Sequence, residues 1–168
     1  MVTNFLINLG DEEQLNLLRN VVYQMSEGMI VTNNELDEPG PKMILVNPAM
    51  CKISGYSEEE LIGKTPRIFH GYKTDKETAS QMKNKLRNGE SVKYETVNYK
   101  KSGEEYLIEL NVSPVFNSLG KIINYVSIQR DISLEKVLKK QIEGYARLLD
   151  RITNEARIRS QQISECVA

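Results

Sequence analysis

A chain of 168 residues, 40% of them hydrophobic, has room for one ordinary domain with a real core plus some additional secondary structure. The formal net charge of −1 shows no basic stripe for a nucleic-acid backbone, and no apolar run is long enough to span a bilayer. The amino terminus lacks the cationic lead-in and cleavage pattern of a signal peptide. Cys51 and Cys166 form neither a disulfide framework nor a metal-ligand spacing, so a cytoplasmic protein without metal, nucleic acid or membrane insertion is expected.

From Asp11 to Met25, the residues Leu15, Leu18, Val22 and Met25 share one helical face, and Asp11 with Gln14 resembles a capping box at its start. One apolar stripe requires a docking partner. Gly28 ends this segment, and Met29 to Asn34 is a short β-rich run. A Pro/Gly turn from Asp37 to Pro41 precedes a second apolar run, Met43 to Val46, and the pair reads as an antiparallel hairpin.

Asn47-Pro48 opens a helical stretch that Gly55 stops. Ser57 with Glu60 caps a short helix closed by Gly63, and after a connector from Lys64 to Lys73, Thr74 with Glu77 caps a helix reaching Arg87. Strand patterns follow. Val92 to Tyr99 alternates loosely, Lys101-Ser102-Gly103 turns, and Tyr106, Ile108, Leu110 and Val112 then point to one face. After a turn at Asn117 to Gly120, Ile122 to Gln129 forms the last strand. Two strands, several short helices and three strands predict an α+β domain, with a five-stranded antiparallel sheet and short helices on one face.

Beyond Asp131-Ile132-Ser133 the pattern is helical to the end. Leu138, Ile142, Tyr145, Leu149, Ile152, Ala156, Arg159 and Ile163 alternate at four and three residues, a heptad seam broken only by Arg159. So narrow a stripe suits a partner helix better than a sheet, and a parallel homodimer is expected, to which the N-terminal stripe could contribute. The chain ends in mid-helix, which suggests an effector domain beyond it. The expected organisation is an N-terminal amphipathic helix over 1–27, a globular domain over 28–133 and a coiled-coil helix over 134–168.

Asn47-Pro48-Ala49, Gly55-Tyr56-Ser57-Glu58-Glu59-Glu60-Leu61-Ile62-Gly63-Lys64, Lys100-Lys101-Ser102-Gly103-Glu104, Val112-Ser113-Pro114-Val115, Gly120-Lys121-Ile122 and Arg130-Asp131-Ile132-Ser133 stand in the order and spacing of the PAS family, which the chain resembles from about Met29 to Ser133. The resemblance implies a PAS fold, a small pocket or a sheet face used in sensing, and a role in signal transduction. Within the family, the flavin-binding light sensors of the LOV type look nearest. Their photochemical cysteine lies in a run whose equivalent here is Thr65-Pro66-Arg67-Ile68-Phe69-His70, so Pro66 holds its place and no cysteinyl–flavin adduct is expected. Cys51 lies elsewhere and reads as a small core side chain.

The resemblance further implies that, if flavin binds, Asn98 and Gln129 meet the ring's polar edge while Arg67 and Lys83 pair with a phosphate, with Asn47 as a further contact. Ile108, Thr65 and His70 depart from the flavin pattern. A second PAS subgroup, redox sensors holding FAD, shares stretches resembling Val97-Asn98-Tyr99-Lys100-Lys101, but carries a tryptophan near the position of Val92, and this chain has none. His70 is the only histidine, and the helix from Thr74 to Arg87 on which PAS haem sensors carry their ligand contains none, so haem is not expected. No histidine follows the domain to act as a phospho-acceptor. No phosphate loop, nucleophile elbow or His-Glu-x-x-His motif gives catalysis a home, and the chain is not expected to be an enzyme.

The expectation is a sensory and dimerisation module of a larger signalling protein, with Asp131, Ile132 and Ser133 as the junction relaying sheet motion to the helix. The rival expectations are a flavin redox or light sensor without adduct chemistry, and a ligand-free interaction module whose pocket, lined by Ile68, Phe69 and Ile108, is simply a core.

Overall fold

The computed structural model describes residues 10–167, which form two compact units divided between Asp131 and Ile132. The first unit contains helix α1 (Asp11–Gln24), strands β1 (Gly28–Asn33) and β2 (Met43–Val46), helices α2 (Pro48–Ser54) and α3 (Glu58–Leu61), a 3-10 turn (Pro66–Phe69), helix α4 (Lys76–Arg87), and strands β3 (Val92–Tyr99), β4 (Glu105–Phe116) and β5 (Ile122–Asp131). The second is one 35-residue helix, α5 (Ser133–Val167).

The five strands form one antiparallel sheet in the order β2-β1-β5-β4-β3. The first and last strands therefore pair at its centre, Ile30 opposite Ser127 and Thr32 opposite Tyr125. Alternation sets the inner face: Ile30 and Thr32 on β1, Thr96 and Asn98 on β3, Tyr106, Ile108, Leu110 and Val112 on β4, and Tyr125, Ser127 and Gln129 on β5 are all buried. The core has two clusters. One joins Leu86 of α4 to the inner residues of β4 and Tyr125; the other joins Ile30, Met43 and Val46 to Met50, Leu61 and Phe69.

Asn47 explains how the chain leaves the sheet. Its Oδ1 accepts from the Met29 amide at 2.8 Å and the Met50 amide at 3.0 Å, and its Nδ2 donates to the carbonyls of Glu27 at 2.9 Å and Val22 at 3.2 Å. One fully buried side chain thus caps α2, fixes the start of β1 and ties down the end of α1. Gly55 then terminates α2 at φ 74°, in the left-handed region that suits glycine.

Three local expectations are corrected. The cap of α1 is Gly10, whose amide donates to Glu13 Oε2 at 3.2 Å; it is not Asp11 with Gln14. The cap of α4 is Asp75, which accepts from Glu77 and Thr78 at 2.9 and 3.1 Å. Thr74 is diverted, its hydroxyl donating to the Val97 carbonyl at 2.8 Å and accepting from the Gly71 amide at 2.9 Å. The connector before α4 is not featureless, because Pro66 starts a 3-10 turn that buries Phe69.

The stripe on α1 does not dock along its length. Val22 and Met25 are half-buried, but Leu15 and Leu18 are 68% and 54% exposed, and no residue of α1 is fully buried. In α5, Leu138, Ile142, Tyr145, Leu149, Ile152 and Ala156 are likewise exposed within the single chain. The side chain of Ile163 lies outside the described residues. No described helix is long and apolar enough to cross a membrane.

Candidate functional site

A cavity of about 170 Å³ lies between the inner face of the sheet, the β1–β2 loop (residues 34–42), the 3-10 turn and α4. Four of the five residues singled out for a flavin line it. Asn98 comes from β3 and Gln129 from β5, while Arg67 stands on the 3-10 turn and Lys83 on α4. The fifth, Asn47, does not line the cavity. Its oxygen and nitrogen are spent on four backbone groups, so the structure assigns it to the architecture.

The wall is mostly apolar, with Ile30, Phe69, Leu86, Leu110, Val112 and Tyr125 among its members. Of the three residues expected to line it, only Phe69 does. Ile108 is buried one inward step along β4 from Leu110, in the cluster with Tyr106, and Ile68 packs against the cluster around Met50. Within this wall sit Asn98, Gln129 and Thr32, buried to 3%, 2% and 6% exposure. Asn98 Oδ1, Gln129 Oε1 and Thr32 Oγ1 lack a hydrogen-bond partner of good geometry. So do Thr96 Oγ1 and the Tyr106 hydroxyl, on the same inner face outside the cavity lining, Tyr106 standing directly opposite Asn98. Gln129 Nε2 donates to Ser127 Oγ at 3.2 Å. Leaving such an oxygen buried and unpaired costs about 1–3 kcal/mol.

The rest of the lining tunes this polar edge. Burial pushes the Tyr94 phenol up to about 12. Partial enclosure, then the Arg67 charge, holds the His70 imidazole below its ordinary value, which favours the neutral ring beside the cavity. Pro66, which the resemblance to LOV domains sets in the place of their cysteine, lines the cavity. Cys51, on α2, does not line it, and its thiol is pushed up by burial and then by Glu58, away from the thiolate that nucleophilic chemistry needs. Among the described residues no cluster of three His, Cys, Asp or Glu side chains could hold a metal.

Sequence reasoning missed Thr32, Tyr94, Ser127 and the loop residues Leu36 and Pro41. For the first three a signal existed: they occupy the inward phase of their strands, in step with Ile30 on β1, Asn98 on β3 and Gln129 on β5.

Asn98 and Gln129 suit the polar edge of a flavin ring, since each amide can both accept from a ring N–H and donate to a ring carbonyl, in an apolar slot that Arg67 and Lys83 also line. The fit is to the edge alone. Pockets for ligands of drug size run to about 300–1,000 Å³, so a whole flavin requires the loop and mobile side chains to give way.

Comparison with known proteins agrees with this architecture. Residues 26–134 match the PAS domain family. The chain is 35% identical over 107 residues to a blue-light-activated histidine kinase of Brucella ovis, a match covering 64% of this chain and 22% of the kinase. It is 28% identical over 119 residues to a nitrogen fixation regulatory protein of Klebsiella oxytoca, covering 71% of this chain and 24% of that one. It therefore spans less than a quarter of the length of these curated relatives. Among solved structures, the LOV domain of the Erythrobacter litoralis EL346 blue-light-activated histidine kinase superposes with a TM-score of 0.60 at 25% identity, over 66% of this chain and 99% of that one. An RNA-binding light-oxygen-voltage receptor reaches a TM-score of 0.72 at 22% identity, over 86% of this chain and 40% of that one, and shows the shared fold. With a family match over most of its length, a five-stranded sheet of this order and short helices on one face, the chain belongs to the PAS domain family, as a sensory module related to LOV domains of signalling proteins.

Proposed function

We propose that this chain senses through its cavity on behalf of a larger signal-transduction protein, and that the cavity takes a flavin held without a covalent bond to cysteine. The observation that carries this reading is the set of unpaired oxygens on Asn98, Gln129 and Thr32. A pocket that served only as core would leave their desolvation uncompensated, whereas a ligand with ring N–H and hydroxyl donors satisfies them. A bound flavin supplies blue-light absorption and reversible redox chemistry. Asn98 and Gln129 hold and orient the ring edge, and Arg67 and Lys83 stand where a phosphate tail would leave the cavity.

Gln129 also supplies the route outward. It lies on β5, two residues before Asp131, where the strand ends, and four before Ser133, where α5 begins. A change in what Gln129 bonds is felt on the strand that continues into the helix through Asp131-Ile132-Ser133. Coupling then requires only that α5 has two arrangements whose balance the strand biases. In this proposal α5 pairs with its copy in a homodimer and passes the bias to an effector beyond the chain, in two-component or second-messenger signalling.

Riboflavin or FMN added to the purified chain should show fluorescence quenching and a structured blue absorption band. Asn98→Leu should weaken binding by about 1–3 kcal/mol, the cost of orphaning a polar edge. Illumination should give no slowly recovering bleach of the blue band, because Pro66 offers no thiol; such a cycle would refute that assignment. Unchanged affinity in Asn98→Leu removes Asn98 from the site. Failure of both flavins to bind at high micromolar protein favours the ligand-free interaction module, the reading that the cavity's small volume supports.

A further inference from the structure

Two cations, Arg67 and Lys83, line the cavity, a third, Arg87, stands one turn beyond Lys83 on α4, and each is held by a carboxylate of the β1–β2 loop. Arg67 Nη1 donates to Glu38 Oε1 and Oε2 at 2.7 and 2.8 Å. Lys83 Nζ donates to Asp37 Oδ1 at 3.0 Å, and Arg87, one turn further along α4, donates to the same oxygen. The loop carrying these carboxylates also builds the cavity, since its Leu36 and Pro41 line the wall. Its base is clamped, with the Lys42 amide donating to Asn33 Oδ1 at 2.8 Å and the Asn33 amide to the Lys42 carbonyl at 2.9 Å. Gly40 supplies the φ of 105° that the turn needs, and the Arg67 guanidinium lies in ordinary van der Waals range of it, 3.7 Å from where a Cβ would stand. The loop is therefore a lid, fixed at its base and fastened at its tip by two carboxylates on three cations.

We propose that Asp37 and Glu38 form a latch on the cations available to a ligand's phosphate, so that lid closure and phosphate binding compete for the same groups. The identity of the phosphate-bearing ligand rests on the flavin reading above; the latch itself does not. With the latch closed, the two carboxylates offset most of the charge of the three cations that they hold. A phosphate monoester, carrying about −1.5 to −2, would then face the two carboxylates as well as the cations. With the latch open it meets the cations without these two carboxylates. The hydrogen bonds from Lys83 and Arg87 hold the Asp37 carboxyl below its ordinary value, so it is ionised at neutral pH and the competition operates there. All these pairs are solvent-exposed and individually weak, which is what a reversible fastening requires.

The consequence is selectivity: the latch lowers the preference for FMN over riboflavin that the bare cations would give. Two measurements on the full chain and its D37N/E38Q variant test this. In hydrogen–deuterium exchange, residues 34–42 of the wild type should exchange faster in inorganic phosphate than in sodium chloride of equal ionic strength. The variant should exchange fast in both. Equal rates in the two proteins overturn the latch, whether or not flavin binds. In flavin titrations, the ratio of FMN to riboflavin affinity should rise about three- to tenfold in the variant, the scale of weak exposed pairs. Flavin binding with an unaltered ratio also overturns the latch. If neither flavin binds, the proposed function fails and the exchange comparison alone decides for or against the latch.

Discussion

Replacing Leu149 and Ile152 together by Asp is expected to convert a homodimer into a monomer while the sheet domain stays folded. The case rests on α5 as a helix in its own unit. An isolated helix is marginal in water, because nucleation is costly and each added residue returns little. Yet along α5 the apolar side chains recur at four and three residues and lie bare, with Ile142 and Leu149 still 67% and 63% exposed. Fully burying a large apolar side chain contributes about 1.5–3 kcal/mol, so pairing the seam with a second copy supplies what the single helix lacks. Charges at its middle positions remove that gain and repel each other across it. Light scattering on wild type and variant checks the prediction, with circular dichroism to confirm folding. A wild type that remains monomeric at high micromolar concentration contradicts it and favours a helix packed back on its own chain. The bare stripe of Leu15 and Leu18 on α1 is a second surface that could join the same interface.

Asn47→Ala is expected to destabilise the sheet domain by about 2–4 kcal/mol, combining a lost helix cap with buried backbone groups left unpaired. The Met29 amide and the Glu27 and Val22 carbonyls each lose their bond to this side chain. Asn47→Asp divides the effect, keeping an acceptor for Met29 and Met50 while losing both donations, and should fall between the wild type and Ala. Urea unfolding measures both. A loss below about 0.5 kcal/mol for Ala, the range of an ordinary surface change, contradicts the role given to Asn47.

The strands were legible because alternation on β4 is strict: Tyr106, Ile108, Leu110 and Val112 are all buried, and their intervening neighbours are not. Helix starts were legible where one residue could serve. Asn47 and Ser57 cap as their sequence context predicts, the latter with the Ser57 amide donating to Glu60 Oε2 at 3.0 Å. They were ambiguous where two cap-forming residues adjoin. Thr74 and Asp75 both qualify, and only the nearby Val97 carbonyl, absent from any local pattern, takes Thr74 away. The cavity lining was legible as far as the resemblance to LOV domains carried Asn98, Gln129, Arg67 and Lys83, all four of which line it. Asn47 was misassigned because a side chain that accepts and donates looks alike at a ligand and at a chain junction. The latch escaped notice for a different reason. Arg67 meets Glu38 across 29 residues and Arg87 meets Asp37 across 50, and exposed charges leave no periodic trace in sequence.

In the proposed function the unpaired oxygens of Asn98 and Gln129 are ligand contacts. The most direct test is a heteronuclear NMR titration of isotope-labelled protein with riboflavin, following the side-chain amide signals of these two residues, assigned with Asn98→Leu and Gln129→Leu. The account predicts that both signals shift on binding, while that of Asn47, spent on backbone groups away from the cavity, stays in place. Riboflavin that binds without moving either signal, or that moves Asn47 instead, would contradict it.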